Sequence, residues 1–156
     1  MVKVTKNKKY FKYILDNLRQ QDLEEVQAIW KNNWREEVLK SIQGKKTLVL
    51  FSKNLPIAMG GFVPVKDKNI EMAVVWLLCS RFVYSNKSLL FKALQKEIQK
   101  AEAKYSLMFN YIYKSNFEAK KWLKRFGFKF DNPKPVGLKV KDNFEFFYKV
   151  KEGVKI

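Results

Sequence analysis

The sequence contains no histidine and only one cysteine, Cys79, among its 156 residues. The absence of histidine excludes the Ser-His-Asp and Cys-His nucleophiles, and it also excludes most zinc and non-haem iron sites. One cysteine cannot form an intrachain disulfide or a cysteine metal cluster, and such sparse usage suits a reducing compartment. We therefore expect a protein that holds no metal.

Acidic residues and long apolar runs are also scarce. The chain has 15 acidic against 32 basic residues, so its formal net charge is +17. That charge indicates a nucleic acid, an acidic protein, an anionic membrane or a phosphate-bearing ligand as partner, without choosing among them. The longest apolar run, residues 72–79, has the length of a strand, and no run approaches the ~20 residues that cross a bilayer. No signal peptide is visible.

Hydrophobic residues make up 47% of the chain and aromatic residues 15%, which is enough for a sizeable core. We expect one domain over residues 1–156, with a basic leader at 1–9 and a tail at 151–156. The predicted strands cover residues 10–18, 47–51, 57–65, 70–79, 105–113, 128–130 and 144–150. The predicted fold is mixed α/β, with a mostly antiparallel sheet of six to seven strands, about four helices and a βαβ crossover within 70–113.

Local sequence signals predict the helices and an unusual feature in one strand. Asp22 and Glu25 form a predicted capping box at the start of one helix. The other predicted helices cover residues 34–42, 87–104 and the segment between Asn116, as N-cap, and Gly127. The pair Gly60-Gly61 inside a strand indicates a bulge or a close approach of another backbone.

This order of elements resembles the GNAT superfamily of acyl-CoA-dependent N-acetyltransferases. The most similar segment is residues 116–128, where Asn116 is followed three residues later by Ala119 and a Gly-Phe pair closes the helix. The last three fifths of the chain further resemble a GNAT-like family of small internal virion, or virion-morphogenesis, proteins of short-tailed podophages. The segments that carry this resemblance are residues 58–61, 75–80, 109–116, 122–127 and 144–148.

The resemblance implies a set of candidate site residues. Glu71 on the fourth strand would be the general base, although an exposed carboxylate at a strand end is the commoner explanation. The general acid position of the family falls on Leu123, which cannot donate a proton, so Tyr113 would have to replace it. The implied contacts to acetyl-CoA are made by Leu77, Cys79, Arg81, Ser85, Asn86 and Asn116. Asn116 is equally an ordinary helix N-cap, and Cys79 is more readily a core residue.

The loop that should bind the pyrophosphate of the cofactor departs from the family pattern. Residues 80–88 contain no glycine, although glycine is what lets a backbone approach a phosphate closely. Arg81, Lys87 and the helix N-terminus near Ser85 would be the remaining anion-binding groups. A plain linker with a capping residue is the simpler interpretation.

The C-terminal third is strongly basic. Residues 114–151 contain eleven Lys or Arg against four carboxylates. Lys120, Lys121, Lys124 and Arg125 lie on one short helix, where they could meet nucleic-acid phosphates or form a solvated face.

Two functions from different classes are consistent with these features. The first is a phage GNAT-fold protein that acts in virion assembly or as an internal virion component and has lost catalysis. The alternative is an active acetyl-CoA-dependent N-acetyltransferase for a protein lysine or a small amine. Expected partners are virion or host proteins, with nucleic acid through the basic surface as a weaker option. The expected location is the cytoplasm of the infected bacterium or the virion.

Overall fold

The computed structural model describes residues 1–67, 69–130 and 143–154. Six strands form one sheet in the order β1 to β6. They are Val2–Thr5, Thr47–Ser52, Leu55–Asp67, Ile70–Cys79, Leu107–Tyr113 and Phe144–Val150. The α-helices are α1 (Lys8–Asp16), α2 (Gln20–Trp30), α3 (Trp34–Ile42), α4 (Lys87–Glu102) and α5 (Phe117–Arg125). The predicted fold class, a mixed α/β protein with a mostly antiparallel sheet, is confirmed.

The chain forms two compact units. The first unit consists of Met1–Gly61 and Trp76–Glu97, and the second of Phe62–Val75 and Ile98–Ile156. Three elements, β3, β4 and α4, pass from one unit to the other.

The start of the first unit differs from the prediction. The strand predicted over residues 10–18 is wrong, because α1 occupies Lys8–Asp16 and Asn7 caps it by accepting a hydrogen bond from the Lys9 N–H. Phe11, Ile14 and Leu15 are its buried residues, and their i, i+3, i+4 spacing is that of a helix face. The first strand is instead β1, within the residues expected to be a leader, and it pairs antiparallel with β2.

The capping box predicted at Asp22 is also wrong. Helix α2 begins at Gln20, its N-cap is Arg19, and no side chain caps it. Asp22 lies inside the first turn and is buried. The next helix is confirmed, since α3 covers Trp34–Ile42 and buries Val38 and Ile42. The buried core of this unit combines the three helices with β2 and β3 and consists of Phe11, Ile14, Leu15, Val26, Val38, Ile42, Val49, Phe51 and Met59.

The glycine pair in β3 marks a close approach, as predicted. A Cβ on Gly60 would lie 2.5 Å from the backbone oxygen of Trp76. A Cβ on Gly61 would lie 3.0 Å from the Trp76 Nε1 atom. The neighbouring strand β4 covers Ile70–Cys79, the range predicted for it.

The second unit contains the C-terminal strands and α5. Strands β4 and β5 pair in parallel, with Met72–Val74 opposite Leu107–Phe109, which confirms the predicted crossover. Strand β6 pairs antiparallel with β5 over its whole length. The segment predicted as a strand at 128–130 makes only an isolated bridge, Lys129 to Tyr148. The loop predicted at 131–135 lies outside the described residues.

Candidate functional site

The segment after β4, where the resemblance places the pyrophosphate loop, is a 3₁₀ turn over Arg81–Ser85. Its backbone N–H groups are largely used inside the protein. The Arg81 N–H donates to the Asn17 carbonyl at 2.8 Å, and the Val83 N–H donates to the Ser80 carbonyl at 3.2 Å. The Phe82 N–H donates to the Ser80 hydroxyl at 3.2 Å. An anion at this turn would therefore have to displace existing hydrogen bonds.

Side-chain contacts also hold the turn at Arg81–Ser85 in place. Val83 is fully buried, so it anchors the turn in the first unit. The Asn86 amide donates to the Phe82 carbonyl at 2.9 Å and accepts from the Ser52 hydroxyl at 2.8 Å. Arg81 and Ser85 are exposed. Of the residues expected to bind phosphate, Asn86 thus has its side chain occupied, while Arg81 offers only a surface charge.

The backbone groups at the end of β4 also have hydrogen-bond partners inside the protein. The Cys79 N–H donates to the Asp22 carboxylate at 2.8 Å, and the Cys79 carbonyl accepts from the Arg19 N–H at 2.9 Å. Cys79 is therefore a buried core residue whose own backbone groups are both satisfied. Leu77, two residues earlier on the strand, is half-buried.

A buried ion pair between Arg19 and Asp22 stabilises the end of β4. Arg19 and Asp22 are 1% and 3% exposed, and the guanidinium contacts both carboxylate oxygens, Nε to Oδ2 at 3.1 Å and Nη2 to Oδ1 at 2.9 Å. Burial by itself would lower the pKa of Arg19, but the hydrogen bond and the charge of Asp22 outweigh it, so this pKa is raised. A bidentate pair of this kind is the geometry in which arginine binds carboxylate best. The sequence analysis assigns Asp22 to a capping box with Glu25 and does not consider Arg19 as its partner.

The structure does not bring the candidate acid and base together. Glu71 is exposed near the start of β4, and its carbonyl accepts from the Ser106 N–H, just before β5. Tyr113 is the last residue of β5, where its ring packs on Phe144 at 5.3 Å between centroids. Seven residues of extended strand separate Ser106 from Tyr113, which is about 23 Å. One reacting atom cannot lie within hydrogen-bond reach of both side chains.

The parallel pairing of β4 and β5 ends in a side-chain contact. After the last paired residues, Val74 and Phe109, the Asn110 amide donates to the Val75 carbonyl at 2.6 Å. A side chain thus binds a carbonyl that a backbone N–H of β5 would bind in a continued ladder.

The hydroxyl of Tyr111, on strand β5, is a feature that the sequence analysis missed. The Tyr111 oxygen is buried and makes no hydrogen bond with any described residue. Burial raises the pKa of this phenol, so it remains protonated. Its ring contacts Phe146 at 5.3 Å between centroids, which accounts for the aromatic part of the side chain but not for the hydroxyl.

Asn116 is the N-cap of α5. It is 1% exposed, and its side-chain oxygen accepts from the Ala119 N–H at 3.4 Å. At the other end of the helix, Gly127 has a φ of +89°, the left-handed conformation that ends helices. Helix capping therefore accounts for Asn116 and Gly127 at the two ends of this segment.

We predict that Asn116→Ala lowers the free energy of unfolding by about 1 kcal/mol, because a helix loses its cap. Asn116→Asp keeps an acceptor at the cap, so it should retain most of the stability. Urea denaturation followed by tryptophan fluorescence measures both. Equal losses in the two variants would contradict capping as the role of this side chain.

Across 1–67, 69–130 and 143–154, no three His, Cys, Asp or Glu side chains lie together as metal ligands would. Over the same ranges, no helix combines the length and the apolar character needed for a membrane span.

Comparisons with known proteins give matches in structure alone. No protein-family profile and no curated protein sequence matches the chain. An aminoglycoside N(6')acetyltransferase from Legionella pneumophila superposes with a TM-score of 0.69 over 97% of this chain and 92% of its own, at 12% identity. The chain has the GNAT fold. A ribosomal-protein-alanine N-acetyltransferase from Brucella melitensis is also similar, with a TM-score of 0.65, 16% identity and coverage of 96% and 99%.

Identities this low show the fold and not the activity. A GNAT-family acetyltransferase from Streptococcus pneumoniae gives the same result, with a TM-score of 0.63 and 13% identity over 96% of this chain and 98% of its own. Residues 80–88 after β4 contain no glycine, and the N–H groups of Arg81, Phe82 and Val83 have internal acceptors. These three N–H groups and that of Cys79 are therefore not free to bind a cofactor in this structure.

Proposed function

We propose that this protein is a GNAT-fold protein that has lost acetyl transfer and acts in virion assembly, or as an internal virion component, of a short-tailed phage. One observation carries the loss of catalysis. The backbone N–H groups of Cys79, Arg81, Phe82 and Val83, which the resemblance implies would face a cofactor, donate instead to Asp22, Asn17 and Ser80.

Two further observations support the loss. Leu123 occupies the general-acid position implied by the resemblance, and a leucine side chain has no proton to give. Glu71 and Tyr113 lie at opposite ends of the β4–β5 pair. The phage part of the proposal is supported by the sequence resemblance over residues 75–80, 109–116, 122–127 and 144–148.

Calorimetric titration with acetyl-CoA tests the loss of the cofactor site. Plain CoA and ATP serve as matched polyphosphates, because a chain with a net charge of +17 attracts any of them. At moderate salt we expect equal, weak binding of all three, which weakens further as salt rises. Micromolar binding of acetyl-CoA that is clearly tighter than the binding of ATP would contradict the proposal.

The assembly role has its own experiment. Virions purified from infected cells should contain the chain at a fixed ratio to the major structural proteins, as measured by quantitative mass spectrometry. A chain that is abundant in infected cells but depleted from both finished particles and assembly intermediates would contradict this role and leave the loss of catalysis unaffected.

One observation favours the alternative, N-acetyl transfer to a protein lysine or a small amine. The Tyr111 hydroxyl has no hydrogen-bond partner among the described residues, so its proton could be donated to a reacting group. This alternative requires measurable turnover with acetyl-CoA that falls by at least about 100-fold in Tyr111→Phe. Tyr13→Phe, which removes a hydroxyl from helix α1 of the first unit, is the matched control and should leave turnover unchanged.

A further inference from the structure

Helix α5 and the segments directly before and after it expose several cations and one aromatic ring. We call this region the basic α5 surface, and its exposed members are Lys114, Phe117, Lys121, Lys124, Arg125 and Lys129. The inner surface of the same helix is buried through Trp122. The helix therefore separates its core contacts from a surface that faces solvent.

Two carboxylates of the second unit are paired with lysines outside this surface. Lys120 binds Glu145 at 2.7 Å, and Lys149 binds Glu102, so two acidic groups of the second unit already have lysine partners. Glu118 is the only carboxylate in residues 114–130, and it is half-buried. Lys114 and Lys121 make no ion pair with any described residue. Lys120, which the sequence placed in this surface, belongs instead to the pair with Glu145.

Phe117 is the feature that a merely solvated face does not explain. Its side chain is 68% exposed, the largest value among the exposed large hydrophobic residues described. It follows the N-cap and is held beside Lys120, whose Nζ lies 5.6 Å from the ring centroid. An exposed phenyl ring forgoes the stabilisation that burial would give it, but it can stack on another flat ring.

The exposed ring and two of the exposed lysines lie along one face of α5. Phe117, Lys121 and Lys124 are at i, i+4 and i+7, so they lie on one face of the helix. The rise per residue places the two lysines about 6 Å and 10.5 Å beyond the ring along the helix axis. A strand whose base is stacked on Phe117 would therefore run along the face that carries both lysines.

We propose that the basic α5 surface binds single-stranded nucleic acid, with an unpaired base stacked on Phe117 and phosphates on Lys121 and Lys124. A duplex hides its base faces and leaves only the lysines to bind. A membrane surface would need a broad apolar face, whereas this surface exposes one phenyl ring. The inference does not rest on the proposed virion role or on the loss of catalysis.

Fluorescence anisotropy with a labelled 20-nucleotide oligo-dT tests the proposal. A 20-unit abasic strand of equal charge is the matched probe without bases. We expect tighter binding of oligo-dT than of the abasic strand, and Phe117→Ala should weaken oligo-dT binding by at least about fivefold. The same substitution should leave abasic binding unchanged. Phe117→Trp should keep the affinity and show quenching of its fluorescence on stacking.

The lysines are tested through the salt dependence. Lys121→Gln/Lys124→Gln should reduce the slope of log affinity against log salt by about 1.4, because two phosphate contacts on a single strand are lost. Lys45→Gln/Lys46→Gln removes the same charge from two exposed lysines of the first unit and is the matched control. Equal effects of the two double variants, or equal binding of oligo-dT and the abasic strand, would overturn the proposal. Tighter binding of a duplex, or Phe117-dependent binding only to anionic vesicles, would overturn it too.

Discussion

Asp22→Ala should lower the free energy of unfolding by about 3–5 kcal/mol, the cost of leaving one partner of a buried ion pair without the other. The Arg19 guanidinium would remain at 1% exposure with no carboxylate. The Cys79 N–H would also lose its acceptor. Chemical denaturation followed by tryptophan fluorescence measures this loss.

An exposed ion pair of the same unit provides the control. Arg35 contacts Asp16, and the two side chains are 46% and 53% exposed. Asp16→Ala should therefore change the stability by no more than about 0.5 kcal/mol. The double variant Arg19→Met/Asp22→Leu removes both charges and should recover the part of the loss that is due to the unpaired charge, while the Cys79 N–H still lacks its acceptor. If Asp22→Ala costs no more than Asp16→Ala, the buried pair does not hold the end of β4.

Gly60→Ala should lower the free energy of unfolding by at least about 2 kcal/mol, because an added methyl group has no room. The new Cβ would lie 2.5 Å from the backbone oxygen of Trp76, and a backbone atom cannot turn aside as a side chain can. Relief would require β3 and β4 to separate locally. Thermal unfolding and urea denaturation both report the change.

Gly61→Ala is the matched substitution one residue along. Its Cβ would lie 3.0 Å from Nε1 of the Trp76 indole, which is the outer part of a side chain and can shift. We therefore expect a clearly smaller loss for Gly61→Ala than for Gly60→Ala. If the two substitutions cost the same stability, the close approach of Gly60 to the Trp76 carbonyl is not the cause of the loss.

The elements that were predicted correctly have strong local signals. Strand β4 is a continuous apolar run, and α5 lies between Asn116 and Gly127, whose capping roles depend only on neighbouring backbone. The segment 10–18 was predicted wrongly because its apolar residues fit both a period of two and a helical period over so short a stretch. Burial of Ile14 next to Leu15 shows that the helical period is the correct one.

The candidate site could be predicted only in part. The lack of glycine in residues 80–88 already indicated a poor phosphate loop. The partners of its N–H groups could not be predicted, because Asn17 lies far along the chain from Arg81. The role of Asp22 was missed for the same reason, since its bond to Cys79 joins residues 57 positions apart. Tyr111 carries no sequence signal for an unpaired hydroxyl.

By itself, the sequence determined the fold class, the absence of histidine and disulfide chemistry, and the strong positive charge, because composition and local periodicity carry that information. The tertiary structure alone decided that Arg19 and Asp22 close the end of β4, that Glu71 and Tyr113 lie apart, and that Phe117 faces solvent. Each of these depends on which distant residues meet and on which face of a helix is buried. Only packing of the whole chain settles such contacts.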